Sequence, residues 1–197
     1  ITSITEKIKD KSDINTNIEI NKISKKDSWL VETNKGDFKF DKLINCMPLH
    51  ELFKYLEDVP NNIKESLKQL KYNSIYIVII NVKMDTLGDN FAVYIPDEDV
   101  IFHRVAKLNF FGDSYSLPDS STLVTEITFR EGDKYSKMSE DELTNEIING
   151  LEKLKFIKKE DVIFTDLKKA KYAYVIYDLE HRKNTDLITN YLNKLGI

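Results

Sequence analysis

The sequence predicts an α+β fold: a mostly antiparallel sheet backed by helices, entered through a small N-terminal β-meander. Three observations carry this. Trp29–Thr33 and Phe38–Phe40 flank the hairpin turn Asn34-Lys35-Gly36-Asp37. Ser74–Val82 is a β-branched run of strand length. Leu143, Ile147, Leu151 and Leu154 recur at helical spacing behind Ser139, whose partner Glu142 completes a capping box.

Taken in order, Ile14, Ile18, Ile20 and Ile23 alternate with polar residues and predict a first strand over 14–23, followed by a turn over Ser24–Ser28. After the hairpin, Lys42–Cys46 reads as a short buried strand, closed by Met47-Pro48-Leu49 because proline cannot continue a ladder. Leu49, Leu52, Phe53 and Leu56 share one face of a helix over 50–57, and Pro60 opens another with Ile63, Leu67 and Leu70 inward. Phe91–Ile95, Val100–Leu108 and Thr122–Phe129 are further strands, with a loop over Gly112–Ser121. Asp161–Asp166 and Ala173–Tyr177 read as two more, and a last helix starts at Thr185 with Leu187, Ile188, Tyr191, Leu192 and Leu195 inward. The seam falls near 48–60, which divides the chain into a segment 1–50 and a domain 51–197.

The 197 residues are 41% hydrophobic and 31% charged, enough for one sizeable core, or a main domain with part of a second. A net charge of −4, with lysines interspersed among acids, points away from nucleic acid. One cysteine, Cys46, excludes an internal disulfide and a multi-cysteine zinc site; it reads as a buried structural thiol in a reduced, cytoplasmic setting. No apolar run approaches the roughly 20 residues that span a bilayer. The chain opens on Ile1 and stops at Ile197 after a helical pattern, so both ends read as cut.

Chemistry-bearing motifs are sparse. The glycines at 36, 88, 112, 132, 150 and 196 form no phosphate-cradling loop. His50, His103 and His181 have no ligand spacing, so no metal site is expected. Glu140-Asp141-Glu142 lie in a helix's first turn, where the dipole favours them. Two stretches stand out. In Phe102–Leu108, alternation puts Phe102, Arg104, Ala106 and Leu108 on one face and His103, Val105 and Lys107 on the other. Arg104 among apolar neighbours needs either an acid within the sheet, such as Glu126, or an anionic ligand. In Tyr172–Tyr177, Tyr172, Tyr174 and Ile176 share a face that suits either a flat ligand pocket or an ordinary sheet.

The segment Trp29–Leu52, with Trp29-Leu30-Val31-Glu32-Thr33, Gly36 and then Phe40-Asp41-Lys42-Leu43-Ile44-Asn45-Cys46-Met47-Pro48-Leu49, resembles two-domain flavoproteins of the amine oxidase, protoporphyrinogen oxidase and UDP-galactopyranose mutase type. Tyr94-Ile95-Pro96, Phe102–Val105, Glu126-Ile127-Thr128 and Tyr172–Ile197 extend the resemblance over nearly the whole chain. It implies that 1–50 is the remnant of an FAD-binding domain and 51–197 a substrate-binding domain. The dinucleotide G-x-G-x-x-G turn, the acidic ribose-binding residue and the C-terminal flavin segment of such proteins have no counterpart here. The resemblance therefore implies FAD in a full-length parent, none held by this piece alone, and no catalysis by it in isolation. Ile20 and Ile23 resemble the pair lining the adenine, and Met47, Pro48 and Leu49 the turn passing near the cofactor. Arg104, Tyr172 and Tyr174 are the expected substrate wall, the substrate being a small molecule. No general acid or base is supported. Self-association through surface left by the missing FAD domain is a further expectation. Two alternatives stay open: a mutase-like parent, against which stand the few arginines (Arg104, Arg130, Arg182), and a stand-alone α+β binding module without cofactor.

Overall fold

The computed structural model describes residues 2–197. These divide into two compact units, residues up to Leu70 together with Tyr177–Ile197, and Lys71–Ile176. The boundaries differ from the 50/51 seam of the sequence because the helices after Pro48 and the last helix bury their apolar stripes against the meander.

In the first unit, β1 (Ile20–Lys25), β2 (Trp29–Thr33) and β3 (Gly36–Phe40) form an antiparallel three-stranded sheet. Helices α1 (Thr2–Ile8), α2 (Leu49–Tyr55), α3 (Asn61–Gln69) and α5 (His181–Leu195) belong with it, and α4 (Glu140–Lys153) lies in the second unit. Ile23, Trp29 and Val31 pack with Leu52, Leu56, Val59, Ile63, Ile188 and Leu192 into one core. Glu57 donates its backbone N–H to Ile23 at 2.9 Å, tying the end of α2 to the sheet. Gly196 caps α5 in the left-handed conformation, φ 81°, which a glycine adopts without Cβ strain. Only the second half of the first expected strand forms. The expected strand Lys42–Cys46 does not form: no strand among the described residues offers the segment a ladder. Ile44 is 87% exposed and the Cys46 thiol is exposed rather than buried.

In the second unit, β4 (Lys71–Val82), β5 (Ala92–Tyr94), β6 (Arg104–Lys107), β7 (Ser121–Phe129) and β8 (Val162–Ile176) form one antiparallel sheet in the order β5-β6-β7-β4-β8. The two short strands expected over 161–177 are a single fifteen-residue β8. Period-two alternation sends Val78, Ile80, Leu123 and Ile127 to the face covered by α4 (Glu140–Lys153), where they meet Leu143, Ile147 and Leu151. The Ser139–Glu142 capping box forms as read.

Candidate functional site

The other face of this sheet carries polar chemistry. In register, Arg104 on β6 stands opposite Glu126 on β7, which stands opposite Ile77 on β4, which stands opposite Lys168 on β8. Glu126 is 6% exposed, so its carboxylate needs partners. Arg104 donates to Oε1. The Tyr174 hydroxyl donates to Oε2 at 2.9 Å, and His103 Nε2 lies 3.5 Å from the same oxygen. The Tyr94 ring sits 5.9 Å from the Arg104 guanidinium carbon.

The electrostatics follow from these contacts. Hydrogen bonding to Tyr94 and then to Glu126 holds the Arg104 guanidinium protonated beyond its ordinary range. The bond Tyr174 gives to Glu126, with burial and the carboxylate charge behind it, pushes the phenol up, so it stays a neutral donor. Arg104 Nε is buried and finds no acceptor among the described residues. The charges of Arg104 and Glu126 therefore balance within the knot.

Of the expected wall residues, Arg104 and Tyr174 meet at Glu126. Tyr172 packs on Tyr72, ring centroids 4.5 Å apart. The shared face expected for Tyr172 and Tyr174 is interrupted by a register shift on β8, where Asn73 pairs with Tyr174 but Ile75 pairs with Ala170. His103, expected on the face opposite Arg104, reaches Glu126, whereas Phe102 leaves that face for the apolar core. The chain bends before β6 begins at Arg104, which resets the alternation. In the first unit, Ile20, Met47 and Leu49 are half-buried against the core, Ile23 lies within it, and Pro48 caps α2 from the outside.

The family is settled by sequence: the model of flavin containing amine oxidoreductases matches residues 1–185. The chain belongs to this family. No curated protein matches it. Among solved structures, a reduced UDP-galactopyranose mutase superposes with a TM-score of 0.85 at 17% identity, covering 98% of this chain and 43% of that one. A protein from Exiguobacterium sp. 255-15 described as a protoporphyrinogen oxidase gives 0.76 at 16% identity, with 98% and 43% covered. Wild-type putrescine oxidase bound to putrescine gives 0.70 at 16% identity, with 93% and 43% covered. At such identities the likeness establishes the fold, and the chain spans less than half of each of these structures.

The family carries a flavin, and full-length relatives support FAD. The diphosphate of FAD needs a glycine-rich cradle that lets backbone approach it closely. Here a Cβ at Gly36, Gly88, Gly112 or Gly132 would meet nothing within 4 Å, so no close backbone approach calls for these glycines. The residues present do not fit that end of the cofactor. Among the described residues no cluster of three or more His, Cys, Asp or Glu could hold a metal, and no helix is long and apolar enough to cross a membrane.

Proposed function

We propose that the chain supplies the substrate-binding portion of an FAD-dependent oxidoreductase and does not turn over by itself. Residues 51–197, which include the sheet unit Lys71–Ile176, are the substrate domain in this reading, and residues 1–50 belong with the FAD-binding part. The observation that carries it is the Arg104–Glu126–Tyr174 knot, set on the sheet face opposite α4. Ile20, Met47, Pro48 and Leu49 stand where the cofactor would pass, with the core residue Ile23 supporting them from beneath. The flavin supplies the redox chemistry when bound; Arg104 and Tyr174 fix the orientation of the substrate. A small-molecule substrate and a reducing, cytoplasmic compartment go with this reading.

The mutase reading would want cations for a nucleotide diphosphate. On the face of the knot Arg104 is committed to Glu126, which leaves that face poorly supplied for that task. The test is kinetic. In the full-length flavin-loaded protein, Tyr174→Phe and Arg104→Gln should each raise KM for its substrate about tenfold, the scale of one lost hydrogen bond to a charged group, with flavin content unchanged. Unaltered KM and kcat in both variants would sink the proposal. Interconversion of UDP-galactose forms without net oxidation would replace it with the mutase reading.

A further inference from the structure

The second unit has another concavity, where β4 begins and β7 and β8 end. It is about 680 Å³, and its lining includes Lys71, Tyr72, Phe129, Arg130, Lys169 and Lys171. That is within the roughly 300–1,000 Å³ typical of small-molecule sites. None of Arg104, Glu126 or Tyr174 lines it. Ser74 and Phe129 alternate onto the α4 side of the sheet, so the two sites lie on opposite faces.

Two features recur together along its wall. One is cationic: four basic side chains face the single carboxylate of Glu131 in a chain whose net charge is −4. The other is aromatic: Tyr76 and Phe129 stack with centroids 4.2 Å apart, and Tyr72 meets Tyr172 at 4.5 Å. Lys169 Nζ lies 5.5 and 5.2 Å from the Tyr76 and Phe129 ring centroids, and Lys171 Nζ lies 5.2 Å from that of Tyr172. Both ammoniums are thus placed by ring faces, which attract a cation without cancelling its charge. Arg130 is fixed by its Nε bond to Asn73 at 2.9 Å, and its backbone N–H by Asp133 Oδ2 at 2.8 Å. Gathering like charges in one groove costs free energy that an anion would recover.

We propose that this groove binds a small ligand that joins a flat ring to a phosphate-type anion. Lys169, Lys171 and Arg130 take the anion, in charge-assisted hydrogen bonds, and the half-buried Tyr72 takes the ring. The site does not depend on the FAD reading, since it uses none of the residues on the opposite face.

Phenyl phosphate is the probe, titrated into the protein by calorimetry at low ionic strength beside inorganic phosphate and phenol. The expected result is one phenyl phosphate per chain, bound at least about tenfold more tightly than either fragment. The double variant Lys169→Gln/Lys171→Gln should weaken it at least about tenfold. Arg130→Gln should weaken it too, and it guards against misfolding of the double variant. Lys68→Gln, an exposed lysine of α3, makes the control for simple charge loss. Inorganic phosphate binding as tightly as phenyl phosphate would overturn the proposal. So would equal weakening by the Lys68 control and the groove variants, which would show only a general attraction of anions to lysine.

Discussion

The two faces of the five-stranded sheet are built from the same strands and differ only in which alternate residues they show. On one face Val78, Ile80, Leu123 and Ile127 are fully buried and pack with α4. On the other, Glu126, Arg104 and Tyr174 tie three strands together through a buried carboxylate. Apolar packing is tolerant of chemistry but sensitive to volume; the polar knot is the reverse, because its worth depends on which atoms donate and accept. The α4 face should therefore answer to stability measurements, and the opposite face mainly to binding.

The largest expected effect lies on the α4 face. Leu151→Ala removes a fully buried side chain from the core and should cost about 2–5 kcal/mol, read as a fall in the urea midpoint at unchanged slope. A loss below about 1 kcal/mol would mean that the helix can collapse onto the sheet, and the contrast between the faces would weaken. Next comes Gly150→Ala. In most helix interiors this change stabilises by about 1 kcal/mol. Here a Cβ would meet Phe102 Cε1 at 2.8 Å and Val100 Cγ1 at 3.2 Å, within a packed core. The expected sign is reversed, a loss of about 1–3 kcal/mol from overpacking. Thermal unfolding of the variant distinguishes the two outcomes.

Those residues also show what could be read in advance. The α4 stripe and its capping box were legible because both are local, set by residues three or four apart. The Arg104–Glu126 pair was legible because a lone arginine within a strand needs an acid, and Glu126 lies centrally in a neighbouring one. His103 and Phe102 were placed on the wrong faces, since the bend before β6 is a tertiary feature without a proline or glycine to announce it. The length of β8 was hidden by Lys168, Lys169 and Lys171. Lysines of this kind suit an edge strand, and β8 is one, pairing with β4 alone. Lys42–Cys46 misled in the opposite direction: its apolar composition reads as a strand, but composition does not supply a partner for its backbone. The close approach at Gly150 left no trace in the sequence, because it depends on a loop some fifty residues away.

The smallest effect sharpens the comparison on the polar face. Tyr174→Phe deletes the bond to Glu126 and should cost about 0.5–1.5 kcal/mol at neutral pH, toward the low end because Tyr174 is 43% exposed. The cost should also depend on pH. Folding raises the phenol's pKa, chiefly through that bond, so the folded chain holds this proton more tightly than the unfolded one. Below about pH 10, the ordinary tyrosine value, both states are protonated and the contribution is complete. As pH climbs from there through the folded value, the unfolded chain ionises first and the contribution is lost. The gap between wild type and Tyr174→Phe should therefore be constant from neutral pH to about 10 and narrow above it. Tyr191, raised chiefly by burial, titrates in the same region but is present in both proteins and cancels in the difference. A gap that stays constant through the alkaline range would mean that Tyr174 contributes by packing alone, and Glu126 would then be left with Arg104 as its working partner.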